Sequence, residues 1–469
     1  MLGSDGVKGV FAHYMVGGMK DMSRAVADIS QAQALGLDAF ALNVQHPGAD
    51  WTLSSLEYLF SAAASSASGP GANDGFKLFF SLDMAASPDP ATFGPLLHQY
   101  ASHPAYYTHL GRPFLSTFRG AAQLSPSAWQ SFLSGLPAPP FFVPNFDDWT
   151  GAPGTAYTPE FFALFHPAID GVMGWETAWP HAGVAANNSH NNNNNNNDDD
   201  DDDNNDPDPY AQSTTALDDA ANLAAARAAA KAYMMPVSSF QSKHIAWDQN
   251  WYRRGGLNLP ARLAAALVLQ PDFVELLTWN DAGEGHYVGN IWPEAITPEA
   301  AELVRDYDHA GWQAVVGPFA RALKAGGRDP TAVYPAPGMP FEGAFWYRPL
   351  LKQAGGSGSD SQGMGKPRGW EDAKDAVNVA VMLPQETAAN EVAMEVWSGG
   401  SVVASFPVVA GLNMHQVEAI RVGEQAVRLV GADGQVLGRG AGGIQVTDHL
   451  GGTGGICNYN YQVVEIVSS

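Results

Sequence analysis

Short apolar runs recur along the first two thirds of the chain, and most are separated by stretches with helical spacing. They occupy residues 10–16, 39–44, 77–84, 113–118, 141–146, 171–175, 232–238 and 273–279. Runs this short, rich in β-branched and aromatic residues, read as buried strands. Residues 23–35 carry apolar positions at helical intervals and meet Gly36, a natural helix stop. Residues 220–231 are rich in alanine, the strongest helix former. Residues 260–269 read as the helix before the eighth strand, and 298–324 as the last helix of this part. Strands alternating with helices predict a parallel sheet. Eight such units predict an α/β fold of the (β/α)8 TIM-barrel type. An open doubly wound sheet fits less well, because its Gly-x-Gly-x-x-Gly turn is missing from Met15-Val16-Gly17-Gly18-Met19.

Downstream the pattern changes. Residues 355–369 are rich in Gly and Ser and read as a linker or mobile loop. From residue 376 the period becomes two, as in Val377-Asn378-Val379-Ala380-Val381 and Val392-Ala393-Met394-Glu395-Val396. Further short runs fall at 401–409, 416–422, 425–429 and 461–467, with turns such as Ser398-Gly399-Gly400 between them. This predicts a C-terminal antiparallel β-sandwich. The expected division is a barrel over 1–345, a connecting segment over 346–375 and the sandwich over 376–469. Residues 187–209 are almost wholly Asn and Asp, cannot bury apolar surface, and are expected to form a disordered insertion in the barrel.

The length of 469 residues suits a barrel of about 250 residues or more plus a smaller module. A formal net charge of −24 argues against a nucleic-acid partner, which needs a basic face. No apolar run reaches the roughly 18 residues of a transmembrane helix, so no membrane partner is expected. The single cysteine, Cys457, excludes an internal disulfide and a thiolate zinc site. Residues 1–9 show no apolar stretch of the signal-peptide kind, which leaves an intracellular location open. A monomer without cofactor is the expectation.

In barrels of this type the chemistry sits where the strands end. The polar residues at those ends are His13 and Tyr14 after the first run, Asn43, Gln45 and His46 after the second, and Asp83 after the third. The fifth gives Asn145 and Asp147, the sixth Trp175 and Glu176, and the seventh leads to Gln241 and His244. The eighth ends Trp279-Asn280-Asp281-Ala282-Gly283-Glu284-Gly285-His286-Tyr287. Carboxylates converging with aromatic rings are what glycoside hydrolysis demands: one acid protonates the leaving oxygen, and a second acts as nucleophile or activates water. Helix capping and loop ion pairs would use the same letters. A metal site is not expected, for no His-Glu-x-x-His or paired histidines open the first strand. A serine hydrolase lacks its Gly-x-Ser-x-Gly turn.

The stretch Trp279 to Gly289, WNDAGEGHYVG, resembles the eighth-strand signature of glycoside hydrolase family 71, the fungal α-1,3-glucanases or mutanases. VFAHYMVG, DAFALNVQ, FKLFFSLDM, GRPFLSTFRG and FWYRP are similar to other segments of that family, so the resemblance spans the barrel. It implies an inverting hydrolase of α-1,3-glucan, secreted or in the cell wall, with Glu284 as general acid and Asp281 as general base. The strand-end positions make His13, Tyr14, Asn43, Gln45, His46, Asp83, Asn145, Asp147, Trp175, Glu176, Trp279, Asn280, His286 and Tyr287 the expected sugar-binding residues. Inversion needs the two carboxyl groups roughly 6.5–9.5 Å apart. If Asp281 and Glu284 point the same way, a further carboxylate such as Asp83 or Glu176 becomes the partner. Two alternatives remain: a glucan-binding protein without turnover, and a hydrolase of another linkage.

Overall fold

The structure is a computed structural model, and it describes residues 8–66, 75–151, 154–180, 214–354, 360–388 and 391–469. The Asn/Asp-rich stretch 187–209 lies outside the described residues. Eight parallel strands follow the predicted runs: β1 (Gly9–Met15), β2 (Ala39–Val44), β3 (Lys77–Asp83), β4 (Arg112–Phe118), β5 (Phe141–Phe142), β6 (Gly171–Met173), β7 (Ala232–Ser238) and β8 (Phe273–Leu277). They pair in the order β5-β4-β3-β2-β1-β8-β7-β6, every ladder parallel. The sheet curls until its two ends meet. There Asp170 and Met173 donate backbone hydrogen bonds to the carbonyls of Phe142 and Pro144, at 2.8 and 2.9 Å. The ends share these contacts but no ladder, so the continuous ring of paired strands expected from the sequence is not seen. β5 is cut to two residues; the Val143 amide still bonds the Leu115 carbonyl at 2.9 Å, and Pro144, which has no N–H to donate, comes next.

Helices cover the outside of the sheet. The helix α1 (Met22–Ala34) is capped by Asp21, whose carboxylate accepts from the Ser23 amide, and it stops at Gly36 in a left-handed conformation. The predicted last helix is two: α2 (Pro298–Val304) and α3 (Gln313–Lys324), parted where Asp306 takes a φ of 66°. None of the helices among the described residues is long and apolar enough to cross a membrane.

Alternation along the strands fills the inside of the curl. Phe11, Phe79, Phe114, Phe141 and Phe273 pack ring on ring, with centroids 4.7–6.3 Å apart. Two residues further along β1 and β8, on the same face, come His13 and Glu275. The strand ends open above that second layer.

The C-terminal part is two antiparallel sheets. One runs Gly411–Val417, Val377–Leu383, Glu342–Tyr347, Gln462–Glu465. The other runs Ser401–Val408, Val392–Ser398, Gln425–Gly431, Val436–Ala441, Val467–Ser468. The first sheet is buried on both faces. Phe345, Tyr347, Val377, Val379 and Val381 face the second sheet, while Ala344, Trp346, Ala380 and Met382 join the core shared with the parallel sheet. Its strand Glu342–Tyr347 lies before the Gly/Ser-rich segment, across the boundary expected at residue 345 between barrel and connecting segment. Residues 348–376 therefore connect two paired strands of one sheet, and Trp346 and Tyr347, expected in the connecting segment, belong to the first of them.

Candidate active site

A cleft of about 700 Å³ opens at the C-terminal ends of the parallel strands. Its floor and walls include His13, Asn43, Asp83 and Trp175 from the strand exits, and Asn280, Asp281 and Glu284 from the segment after β8. That segment is folded tightly. The Asp281 carboxylate accepts from the Glu284 amide at 3.0 Å, and Asn280 pairs with both the amide (2.8 Å) and the carbonyl (3.0 Å) of Met15. Gly285 sits at a φ of 71°, where a Cβ would meet the Phe240 ring and the Ser242 carbonyl, so glycine is required. The Glu284 carbonyl accepts from the Ser242 amide at 2.8 Å, which joins the segment to a hairpin made of Gln241–Ala246 and Gln249–Arg253.

That hairpin completes the electrostatics. Lys243 donates to Glu284 at 3.1 Å, and the Gln241 amide donates to its other oxygen. His286 lies behind the two carboxylates, fully buried, with Nε2 3.4 Å from Asp281 and 3.6 Å from Glu284. Burial disfavours the imidazolium, but the hydrogen-bonding and charge of Asp281 and Glu284 outweigh it and raise His286 to about 9. Burial likewise pushes Glu284 up, and the His286 and Lys243 cations outweigh that, drawing it down to about 2. The free site thus holds Glu284 as an anion between two cations.

Asp281, Glu284 and His286 each offer one ligand atom within 4.8 Å of the others. Such a triad has the donors for a metal ion, yet the Lys243 ammonium already sits on Glu284 and opposes a second cation there. The same closeness bears on the carboxylate pair. Its two members point the same way, closer than the span inversion asks for.

The other expected residues divide by the direction of their side chains. His13, Asn43, Gln45, Asp83, Trp175 and Asn280 line the cleft. Tyr14 does not: it points outward, and its hydroxyl donates to Asp28 of α1 at 2.8 Å. Trp279 is buried outward against Phe40, and Tyr287 is stacked on His309 with its hydroxyl on the Tyr307 carbonyl. Asn145 ties backbone together, accepting from Arg119 and donating to Met173. Asp147 accepts from the amides of Trp175 and Glu176, and burial above all lifts it to about 6. Glu176 is paired with Arg253 at 2.6 Å. His46 is exposed and rests edge-on near Trp51, which itself lines the cleft. His286, buried behind the carboxylates, contacts no open space.

Lys243, Trp51, Trp292 and Glu275 were not singled out by the sequence reading. Lys243 and Trp51 lie beyond the strand ends. Glu275 had a signal: a lone carboxylate in the middle of the apolar run Phe273-Val274-Glu275-Leu276-Leu277.

A mutanase of Penicillium rubens is 30% identical over 463 residues, 97% of this chain and 88% of that protein. The glucan endo-1,3-alpha-glucosidase of Schizosaccharomyces pombe is 30% identical over 425 residues, 87% of this chain and 84% of that protein. Among solved structures, a GH99 endo-alpha-mannosidase of Bacteroides thetaiotaomicron aligns with a TM-score of 0.45 at 11% identity, over 70% of this chain and 99% of that one. The sequence profile of Glycosyl hydrolase family 71 matches residues 6–469, cleft-lining segments included, and the chain belongs to that family of glycoside hydrolases.

Proposed function

We propose that this glycoside hydrolase cleaves α-1,3-glucan, at a site built on a (β/α)8 barrel, with Asp281 and Glu284 as its acid/base pair. The observation that carries the reading is the charged cluster on the cleft wall: two carboxylates side by side, one held ionised by Lys243 and His286. The relatives' named substrates support the linkage, since both are named for mutan or 1,3-α-glucan. An extracellular or wall location goes with a wall polymer as substrate.

The charges around Glu284 support the opposite assignment of roles to the one the family resemblance implies. Glu284 carries the Lys243 ammonium as well as His286, which suits a base that must be an anion before water arrives. Asp281 has no lysine partner among the described residues, which leaves it as the member of the pair for the acid's role. In the reaction Asp281 gives a proton to the glycosidic oxygen while the bond from that oxygen to the anomeric carbon breaks. Water forms the new bond to that carbon and loses a proton to Glu284. Inversion then requires the pair to part as the sugar enters, or Asp83, which lines the same cleft, to take the place of one member.

The test is release of reducing sugar from insoluble α-1,3-glucan beside a panel of α-1,4-, α-1,6- and β-1,3-glucans. Release from the α-1,3 polymer alone is expected, and Glu284→Gln should lower it by ~10²–10⁴-fold. Near-wild-type release by that variant removes Glu284 from the mechanism. A glycosyl fluoride, which needs no proton on its leaving group, separates the roles: Asp281→Asn should still cleave it and Glu284→Gln should not. Proton NMR of the first-formed anomer decides stereochemistry, the β-anomer marking inversion and the α-anomer excluding it.

A further inference from the structure

Glu275 stands on β8 inside the curled sheet, and the reaction just described makes no use of it. Its carboxylate and the His13 imidazole are each 1% exposed, with Nδ1 of His13 2.7 Å from Oε1 of Glu275. His13 Nε2 and the second Glu275 oxygen have no hydrogen-bond partner among the described residues. Burying a carboxylate costs several kcal/mol unless it is well paired, and an apolar pair of similar volume is often as stable or more so. The layer below is phenylalanine, so apolar residues at 13 and 275 would continue the packing. Stability therefore does not explain the pair.

Position does. His13 forms part of the cleft floor, its ring meets Trp175 edge-on at 4.8 Å, and its carbonyl accepts from the Trp279 amide at the start of the Asp281 segment. Which imidazole nitrogen carries the proton is set by the partner of the other. We infer that Glu275 is a positioning residue: it accepts the Nδ1 proton of His13 from beneath, fixes the ring, and leaves Nε2 to hydrogen-bond a hydroxyl of the sugar held above it. This rests on the reading of the cleft as a glycosidic site. A hydroxyl contact held in fixed geometry strengthens as the ring distorts toward the transition state.

A double-mutant cycle tests it, using His13→Gln, Glu275→Gln and the double variant on a soluble α-1,3-gluco-oligosaccharide. Each single variant should lower kcat by on the order of 100-fold with KM little changed. The double should be no slower than His13→Gln, because Glu275 acts through His13. Wild-type kcat in Glu275→Gln, or losses that multiply in the double, overturn the inference. A second readout needs no variant to fold well: in the ¹⁵N-labelled wild-type protein the His13 Nε2 resonance should move when the oligosaccharide is added, and an unmoved resonance also overturns it. The two readings fail separately. A wild type that releases no sugar sinks the glucanase proposal, whereas an active wild type matched by Glu275→Gln sinks only this one.

Discussion

Around Glu284 the balance of charge can be altered one side chain at a time. Lys243→Met keeps most of the stem and removes the ammonium, so Glu284 should rise from about 2. The acidic limb of kcat/KM is then expected at higher pH than in the wild type, and an unmoved limb means that Lys243 does not set the charge of Glu284. His286 carries a stability signature as well. Below its ordinary value of 6.5 the imidazole is protonated in the folded and the unfolded chain, and its ion pairs stabilise in full. Above 6.5 the unfolded chain gives up the proton while the folded one keeps it to about 9, so that contribution drains away across this window. Chemical denaturation in pH steps should show the wild type losing up to about 3 kcal/mol against His286→Gln between those values, at 1.36 kcal/mol per unit. Parallel curves would mean that the imidazole is not held charged.

The hairpin after β7 depends on a segment far along the chain. His244, 2.6 Å from Asp360, is buried with it, and Asp360 also accepts from the Cys457 amide at 3.0 Å. Asp360→Ala leaves the imidazole and that amide without their shared acceptor. Breaking a buried pair of this kind costs on the order of 3–5 kcal/mol. A lower melting temperature together with weaker turnover is expected, since Lys243 rides on the same strand as His244. An unchanged melting temperature would show the pair to be dispensable. This coupling marks what the chain's pattern could and could not convey. The runs located all eight parallel strands, and the dense segment after Phe273–Leu277 lies on the wall of the cleft. A list of strand ends does not separate the two faces of a strand, however. His13 and Tyr14 are neighbours in sequence, but one faces the cleft and the other faces α1, while Trp279 and Tyr287 lie past the end of β8, where alternation no longer sets the direction, and both turn away. The strand Glu342–Tyr347 escaped notice for a related reason: both its faces are covered, so no polar alternation announces it.

Taken together, the two parts of the molecule share one interior. Trp346 donates to the Gly256 carbonyl at 2.8 Å, the Tyr461 hydroxyl accepts from the Gly256 amide at 3.1 Å, and His309 bonds the Tyr461 carbonyl at 3.0 Å. A chain ended at residue 341 would expose the face that meets Ala344, Trp346, Ala380 and Met382. It is expected to be insoluble or to bind a hydrophobic dye strongly, and a soluble, cooperatively melting fragment would refute that. The same clasp sets the order in which the cleft is put together. Gly256 and the hairpin beside it are held by Tyr461, about two hundred residues further along the chain. A nascent chain leaving the ribosome therefore has the carboxylates of its cleft long before it has the clamp on the hairpin that carries Lys243, and that clamp forms only once Tyr461 has emerged.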